Sequence, residues 1–242
     1  MIPKKVKKVE DFSKPIIGKD LDFLANEAYK KLRTNLDFTF DHKKKCHVFG
    51  ITSSISGEGK SSTSVNLAIS FAEMGKRTLL IECDLRKPNL ERYFGIKSSE
   101  GLANVLAGFE IKQGIIQSIK EYKNLYLITA GIIPPNPSEL LSSVVMEEMI
   151  EDLSKEFDYI ILDLPPVTAV ADAMIVSRVT EGLLIVVRED YVIKSDLSET
   201  VRQLNMSNIK ILGIAYNAEK DDKSGYYKKY KKYSNYKNYY QN

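Results

Sequence analysis

The 242-residue chain is 43% hydrophobic and 28% charged, enough apolar material for one large α/β domain and too much for a chain disordered throughout. No run approaches the roughly 18 to 20 apolar residues that span a bilayer, and the basic start, Met1 to Lys8, has no apolar segment after it, so neither a transmembrane helix nor a secretory leader is expected. The net charge of +3 is unevenly placed: four lysines within the first eight residues and a net +5 over Lys220–Asn242 leave residues 9–219 at −6, an acidic body with basic, solvated ends.

In chain order, Leu21, Leu24, Ala25, Ala28, Leu32 and Leu36 recur at helical spacing and predict an amphipathic helix within residues 20–38. The apolar run Cys46–Thr52 then predicts a strand, followed by a Gly- and Ser-rich loop and a helix over Ser61–Met74 that Gly75 stops. Further strands are expected at Thr78–Cys83, Leu125–Ile128, Tyr159–Asp163, Gly182–Val187 and Ile211–Tyr216. Strands apolar on both faces, separated by helical or irregular segments, imply a doubly wound, mostly parallel sheet with helices on both faces. There is no internal repeat and no linker before residue 218, so residues 1–219 read as one domain. Residues 220–242 hold no aliphatic side chain and seven of the fourteen tyrosines, Tyr226, Tyr227, Tyr230, Tyr233, Tyr236, Tyr239 and Tyr240. Such a segment cannot bury enough surface to offset its ordering entropy, and a flexible tail is expected.

Two cysteines, Cys46 and Cys83, and two histidines, His42 and His47, leave little material for a disulfide framework, a zinc site or His-based nucleophilic catalysis. Chemistry must rest on carboxylates, lysine and backbone. Ser54-Ile55-Ser56-Gly57-Glu58-Gly59-Lys60-Ser61 lies between a strand and a helix, the context of a Walker A loop, although Ser54 stands where glycine is usual. Gly57 and Gly59 let successive N–H groups turn inward around phosphate at the positive end of the next helix. Lys60 can then reach the β- and γ-phosphates, and the Ser61 hydroxyl can ligate magnesium. The strand Leu79–Cys83 runs into Glu82 and Asp84, acids at i and i+2 expected to point together into the crevice at the strand's carboxyl end. Asp163 ends the run Ile160-Ile161-Leu162 and precedes Leu164-Pro165-Pro166, a Walker B arrangement.

Together these residues resemble the bacterial tyrosine kinases, P-loop protein kinases that control capsule and exopolysaccharide production, over almost the whole chain. That family joins the Walker A loop to an A′ strand with the pattern Asp-x-Asp-x-Arg, a Walker B Asp-x-Pro-Pro and a C-terminal tyrosine cluster. Glu82, Asp84 and Arg86 occupy the A′ positions, with Glu82 in place of Asp, and the segment Gly131–Leu141 is also similar to a family segment. Glu27, Lys30 and Arg33 fall on a Glu-x-x-Arg-x-x-Arg motif that packs subunits into a ring, with Lys30 in place of an Arg whose bidentate fork it cannot reproduce.

The resemblance implies a P-loop fold and an ATP- and Mg²⁺-dependent protein tyrosine kinase. Its ATP would touch Ser56, Gly57, Glu58, Gly59, Lys60, Ser61, Ser62 and Asn217, and its magnesium Ser61, Asp84 and Asp163. Lys60, Glu82, Asp84, Arg86 and Asp163 would be catalytic, with Glu82 or Asp84 receiving the tyrosine proton. The seven tail tyrosines would be phosphorylated in trans within a homo-oligomeric ring. The implied partners are a membrane-embedded polysaccharide co-polymerase that activates the kinase and a tyrosine phosphatase, with no nucleic acid, and the implied place is cytoplasmic, at the membrane through that partner. The alternative is a partition or cell-division-site ATPase of the same fold without kinase activity. Those enzymes carry a second lysine early in the loop, where this chain has Ile55.

Overall fold

The computed structural model describes residues 17–111 and 114–217, so Lys4–Lys8 and the seven tail tyrosines lie outside the described residues. Strand β1 (His47–Ser53) is buried along its whole length, as are β2 (Thr78–Glu82) and β5 (Tyr159–Asp163). Strands apolar on both faces require cover on both faces, and the helices supply it. One layer consists of α1 (Phe23–Asp37), α2 (Lys60–Glu73) and the short α3 (Leu90–Phe94). The other is built from α4 (Leu102–Leu106), α5 (Pro137–Leu141), α6 (Val144–Leu153), α7 (Asp172–Val176) and α8 (Lys194–Met206).

The two cores follow the strands' period of two. Phe49, Ile51, Tyr159 and Ile161 face α2, where Phe71 stacks on Tyr159 with ring centroids 4.1 Å apart. Val48, Ile160 and Leu162 face the opposite layer together with Leu79 and Ile81 of β2. Each such fully buried side chain stabilises the fold by about 1.5 to 3 kcal/mol relative to exposure.

With β3 (Gln117–Ser118), β4 (Leu125–Ile128), β6 (Leu183–Arg188) and β7 (Ile211–Asn217), the sheet has the order β3-β4-β2-β5-β1-β6-β7. All pairings are parallel except β3 with β4. This is the doubly wound sheet expected. The antiparallel edge strand β3 was not foreseen, because two residues are too few to show an alternation. Helix α1 starts at Phe23 because the Asp22 carboxylate accepts the Ala25 N–H at 2.7 Å and caps it.

The strand order positions the site. β5 inserts between β1 and β2, so three segments far apart in the chain end side by side at the carboxyl edge, where open α/β sheets bind ligands. The register pairs Asp163 with Ile51 on one side and with Glu82 on the other.

Candidate active site

Between β1 and α2 the backbone is left-handed at Gly57 (φ +91°) and at Gly59 (φ +90°). Each glycine is required twice over: a Cβ on Gly57 would strike the Tyr191 hydroxyl, and one on Gly59 the Asn217 amide. Side-chain contacts then pin the loop from several directions. Glu58 is fully buried, accepting the Ile55 N–H at 2.8 Å and the Arg188 N–H at 3.4 Å. Asn217 at the end of β7 donates Nδ2–H to the Glu58 carbonyl at 2.9 Å, and the Arg188 guanidinium donates to the Gly57 carbonyl at 3.3 Å. Arg188 also lies 5.0 Å from the centre of the Tyr191 ring. Of the predicted loop residues, Ser56 and Gly57 are exposed at its tip, while Ser62 faces the Tyr93 and Tyr29 hydroxyls across the α2 surface.

Lys60, the first residue of α2, reaches back under the loop. Its Nζ lies 3.0 Å from Asp84 Oδ2 and 3.7 Å from Asp163 Oδ2, and donates to Ser61 Oγ at 3.3 Å. Burial by itself would weaken the ammonium's hold on its proton, but Asp163 and Asp84 outweigh it and hold Lys60 above the ordinary lysine value. Asp163 is fully buried; burial pushes its carboxyl up against the pull of Lys60 and of the Ser61 and Ser64 hydroxyls. Its Oδ1 accepts the Ser64 hydroxyl at 2.9 Å, whereas its Oδ2 makes no hydrogen bond. Two buried carboxylates therefore face one ammonium, with an acceptor oxygen left over. That oxygen-rich, negatively charged donor set, with Ser61 beside it, suits a hard divalent cation such as Mg²⁺.

The structure separates Glu82 from this group. The two acids were expected to point the same way, but β2 stops at Glu82 and Asp84 lies beyond the strand, where its alternation no longer holds. Glu82 turns instead toward backbone: Oε1 accepts the N–H groups of Asn89 and, at 2.8 Å, of Leu90, and Oε2 accepts that of Ala130 at 3.3 Å. Burial pushes its carboxyl up to about 7 despite these three donors. Glu82 thus ties the start of α3 to the end of β4. Arg86 is likewise engaged away from Lys60. Its guanidinium grips Asp172 through Nε at 2.8 Å and Nη2 at 3.2 Å, and Nη2 also donates to Ser138 at 2.9 Å. Ser138 in turn donates to Asp172 at 2.6 Å.

Asp172, Ser138, Arg188 and Tyr191 were missed by sequence reasoning. A signal existed for Asp172, a single acid within the apolar stretch Val167–Val176 that a buried partner explains, and Ser138 lies within the Gly131–Leu141 segment; none existed for Arg188 and Tyr191. On α1, Lys30 pairs with Glu27 at 2.7 Å, and Arg33 donates to the Ser70 carbonyl at 2.6 Å and hydroxyl at 3.1 Å. All three predicted interface residues thus make contacts within their own chain.

Comparison with known proteins now adds to this geometry. A family model described as ParA, the NUBPL iron-transfer P-loop NTPases, matches residues 44–236. The tyrosine-protein kinase YwqD of Bacillus subtilis is 39% identical over 207 residues, covering 84% of this chain and 86% of its own. The chain belongs to the bacterial tyrosine-protein kinases. The kinase domain of the Escherichia coli tyrosine kinase ETK superposes on this kinase with a TM-score of 0.76 and 32% identity, covering 80% of this chain and 75% of that one. A septum site-determining protein, MinD of Pyrococcus horikoshii, solved in complex with Mg-ADP, shares the fold with the kinase: TM-score 0.61, 23% identity, 73% of this chain and 72% of that one. The kinase is thus built on the ParA-type nucleotide-binding fold, and its two cysteines are both buried in that fold's core. Among its described residues no helix is long and apolar enough to cross a membrane.

Proposed function

We propose that the kinase transfers the γ-phosphoryl group of ATP to tyrosines of the 220–242 cluster on a neighbouring copy, in the service of capsule or exopolysaccharide production. The observation that carries this reading is the buried Lys60 set between Asp84 and Asp163 under a glycine loop. Phosphoryl transfer needs little covalent chemistry from a protein and much positioning and charge stabilisation. The N–H groups of residues 56–62 bind the phosphates, and Lys60 gives up part of its contact with Asp84 to meet charge developing on the transferred group. Asn217, on the loop's β7 side, is at hand for the base. Ser61 and Asp163, with Asp84 at their edge, form the Mg²⁺ site. A Mg²⁺ ion held by these oxygens would supply neutralisation of phosphate charge.

Of the two candidate proton acceptors the geometry favours Asp84, which lies against Lys60, over Glu82, whose oxygens are committed to three backbone donors. Arg86 acts through Asp172 and Ser138, holding the 131–141 segment at the mouth of the site. The tail's net +5 makes it attractive to an acidic body, and each phosphotyrosine adds about −1.5 to −2 charges, so phosphorylation reverses that attraction. Trans phosphorylation implies a ring-like homo-oligomer with α1 at its contacts. A membrane-embedded co-polymerase as activator and a phosphatase to reset the tail complete the proposal; they place the kinase in the cytoplasm at the membrane.

Intact-mass analysis after incubation with ATP-Mg tests the reading on the wild type, on Lys60→Met and on a chain ending at Lys220. Successive phosphate increments in the wild type, lost in both variants, are expected. Nucleotide hydrolysis without increments would transfer support to the partition-type ATPase reading.

A further inference from the structure

Away from the nucleotide site, on the α4–α6 layer beside the β3 edge, lies an open groove of about 370 Å³. Val105, Ile115, Ile116, Val145, Met149 and Leu153 line it, with Ile116 45% and Val145 41% exposed. Its rim is acidic. Glu148 and Asp152 border the groove, and α6 carries Glu147 and Glu151 as well with no basic residue along its length. Lys155 pairs with Asp152 at 2.7 Å, but both are well exposed, and such surface pairs are worth little and exchange readily.

We propose that this groove is the docking site of the chain's own residues 1–16. The chemistry of the segment complements the groove: Ile2, Val6, Val9 and Phe12 recur every three or four residues, the spacing of one helix face, which Lys5 alone interrupts, and Lys4, Lys7 and Lys8 fall outside that stripe. An apolar stripe flanked by lysines fits an apolar floor flanked by carboxylates, the helix-in-groove mode of recognition.

The place where the described chain begins supports the same occupant. Gly18 lies against the Tyr122 hydroxyl, and Tyr122 sits in the turn that joins β3 to β4. Ile115 and Ile116, on the groove floor, are the residues just before β3. Ile17 and Gly18 pack on the α2 face, where the Gly18 N–H donates to Asn66 Oδ1 at 2.8 Å, so residues 1–16 must round the β3–β4 edge to reach the groove on the other face; sixteen residues reach about 24 Å as a helix and about 50 Å extended.

The other basic segment, 220–242, leaves from β7 at the opposite edge of the sheet, five strand spacings or about 24 Å from β4, and has no aliphatic residue to fill the floor.

Carbodiimide cross-linking of the full chain, prepared as a mixture of ¹⁴N- and ¹⁵N-labelled protein, tests the proposal. Coupling of Lys4, Lys7 or Lys8 to Glu148 or Asp152 within one isotopic copy is expected, as is its loss in a Glu148→Lys, Asp152→Lys variant. Coupling of these acids to lysines of 220–242, coupling only between copies, or no coupling at all would overturn it. Val6→Asp with Val9→Asp provides a second readout at positions outside the described fold. Amide exchange at residues 115–118 should quicken at least fivefold in that variant, and unchanged exchange would count against the docking.

Discussion

The phosphate loop and the rim beyond β2 differ in what shapes them, although both receive contacts from distant parts of the chain. Backbone conformation shapes the loop: two left-handed glycines, the first turn of α2, and a Glu58 carboxylate accepting an N–H only three residues away. The rim depends on charged side chains that reach far along the chain, Glu82 to Ala130 over 48 residues and Arg86 to Asp172 over 86. A phosphate cradle must keep its shape before the ligand arrives; local backbone geometry sets that shape, and Asn217 and Arg188 from β7 and β6 only hold it in place. A rim built from ion pairs is only as firm as each pair, so single substitutions should loosen it while leaving the cradle intact.

The largest effect should come from removing the loop's charge rather than its shape. Lys60→Met should lower the rate of phosphate incorporation on the order of 10²- to 10³-fold, measured by single-turnover assay. Asp163 then loses the cation that opposes the effect of its burial, so its carboxyl should hold a proton more readily in the variant.

Next is the pH response of the rim. Glu82 holds its proton to about pH 7 in the folded chain, against an ordinary value of 4.5. The stability it contributes by keeping that proton is whole below about pH 4.5 and is lost as the pH rises through about 7, on the order of 3 kcal/mol. Denaturant titrations across this window should show wild-type stability falling relative to Glu82→Gln, which has no proton to lose. Parallel curves would remove Glu82 from the account.

Asp172→Ala should destabilise the fold by about 2 kcal/mol, because the buried carboxylate is the shared acceptor of Arg86 and Ser138. If the comparison holds, nucleotide affinity measured by calorimetry stays within a few-fold of wild type while exchange in residues 131–141 quickens. The smallest stability effect, about 1 to 2 kcal/mol, is expected for Gly59→Ala, which forces a Cβ into the left-handed region and against Asn217. That variant should reverse the pattern, with affinity falling at least tenfold and the rim unchanged.

Much of the site could be read before the fold was known, because its parts carry local signatures. A glycine loop between an apolar strand and a helix, and an acid closing an apolar run, placed Lys60, Ser61 and Asp163 correctly at the edge of a parallel sheet. Glu82 and Asp84 mark the limit of that reading. Alternation along a strand predicts a shared direction only while the strand lasts, and β2 ends two residues before Asp84. Arg188 and Tyr191 had no local signature, since their use depends on β6 lying next to β1.

By itself the sequence determined the periodicities, the two glycines that permit a phosphate-binding turn and the charges available for chemistry, because these follow from short-range sterics and composition. Only the tertiary structure decided which charges meet. The insertion of β5 between β1 and β2 brings Asp163 and Asp84 to one ammonium, and the end of β2 turns Glu82 to the backbone. Such choices depend on which strands lie side by side, and contacts between residues distant in the chain are set by the packing of the whole sheet.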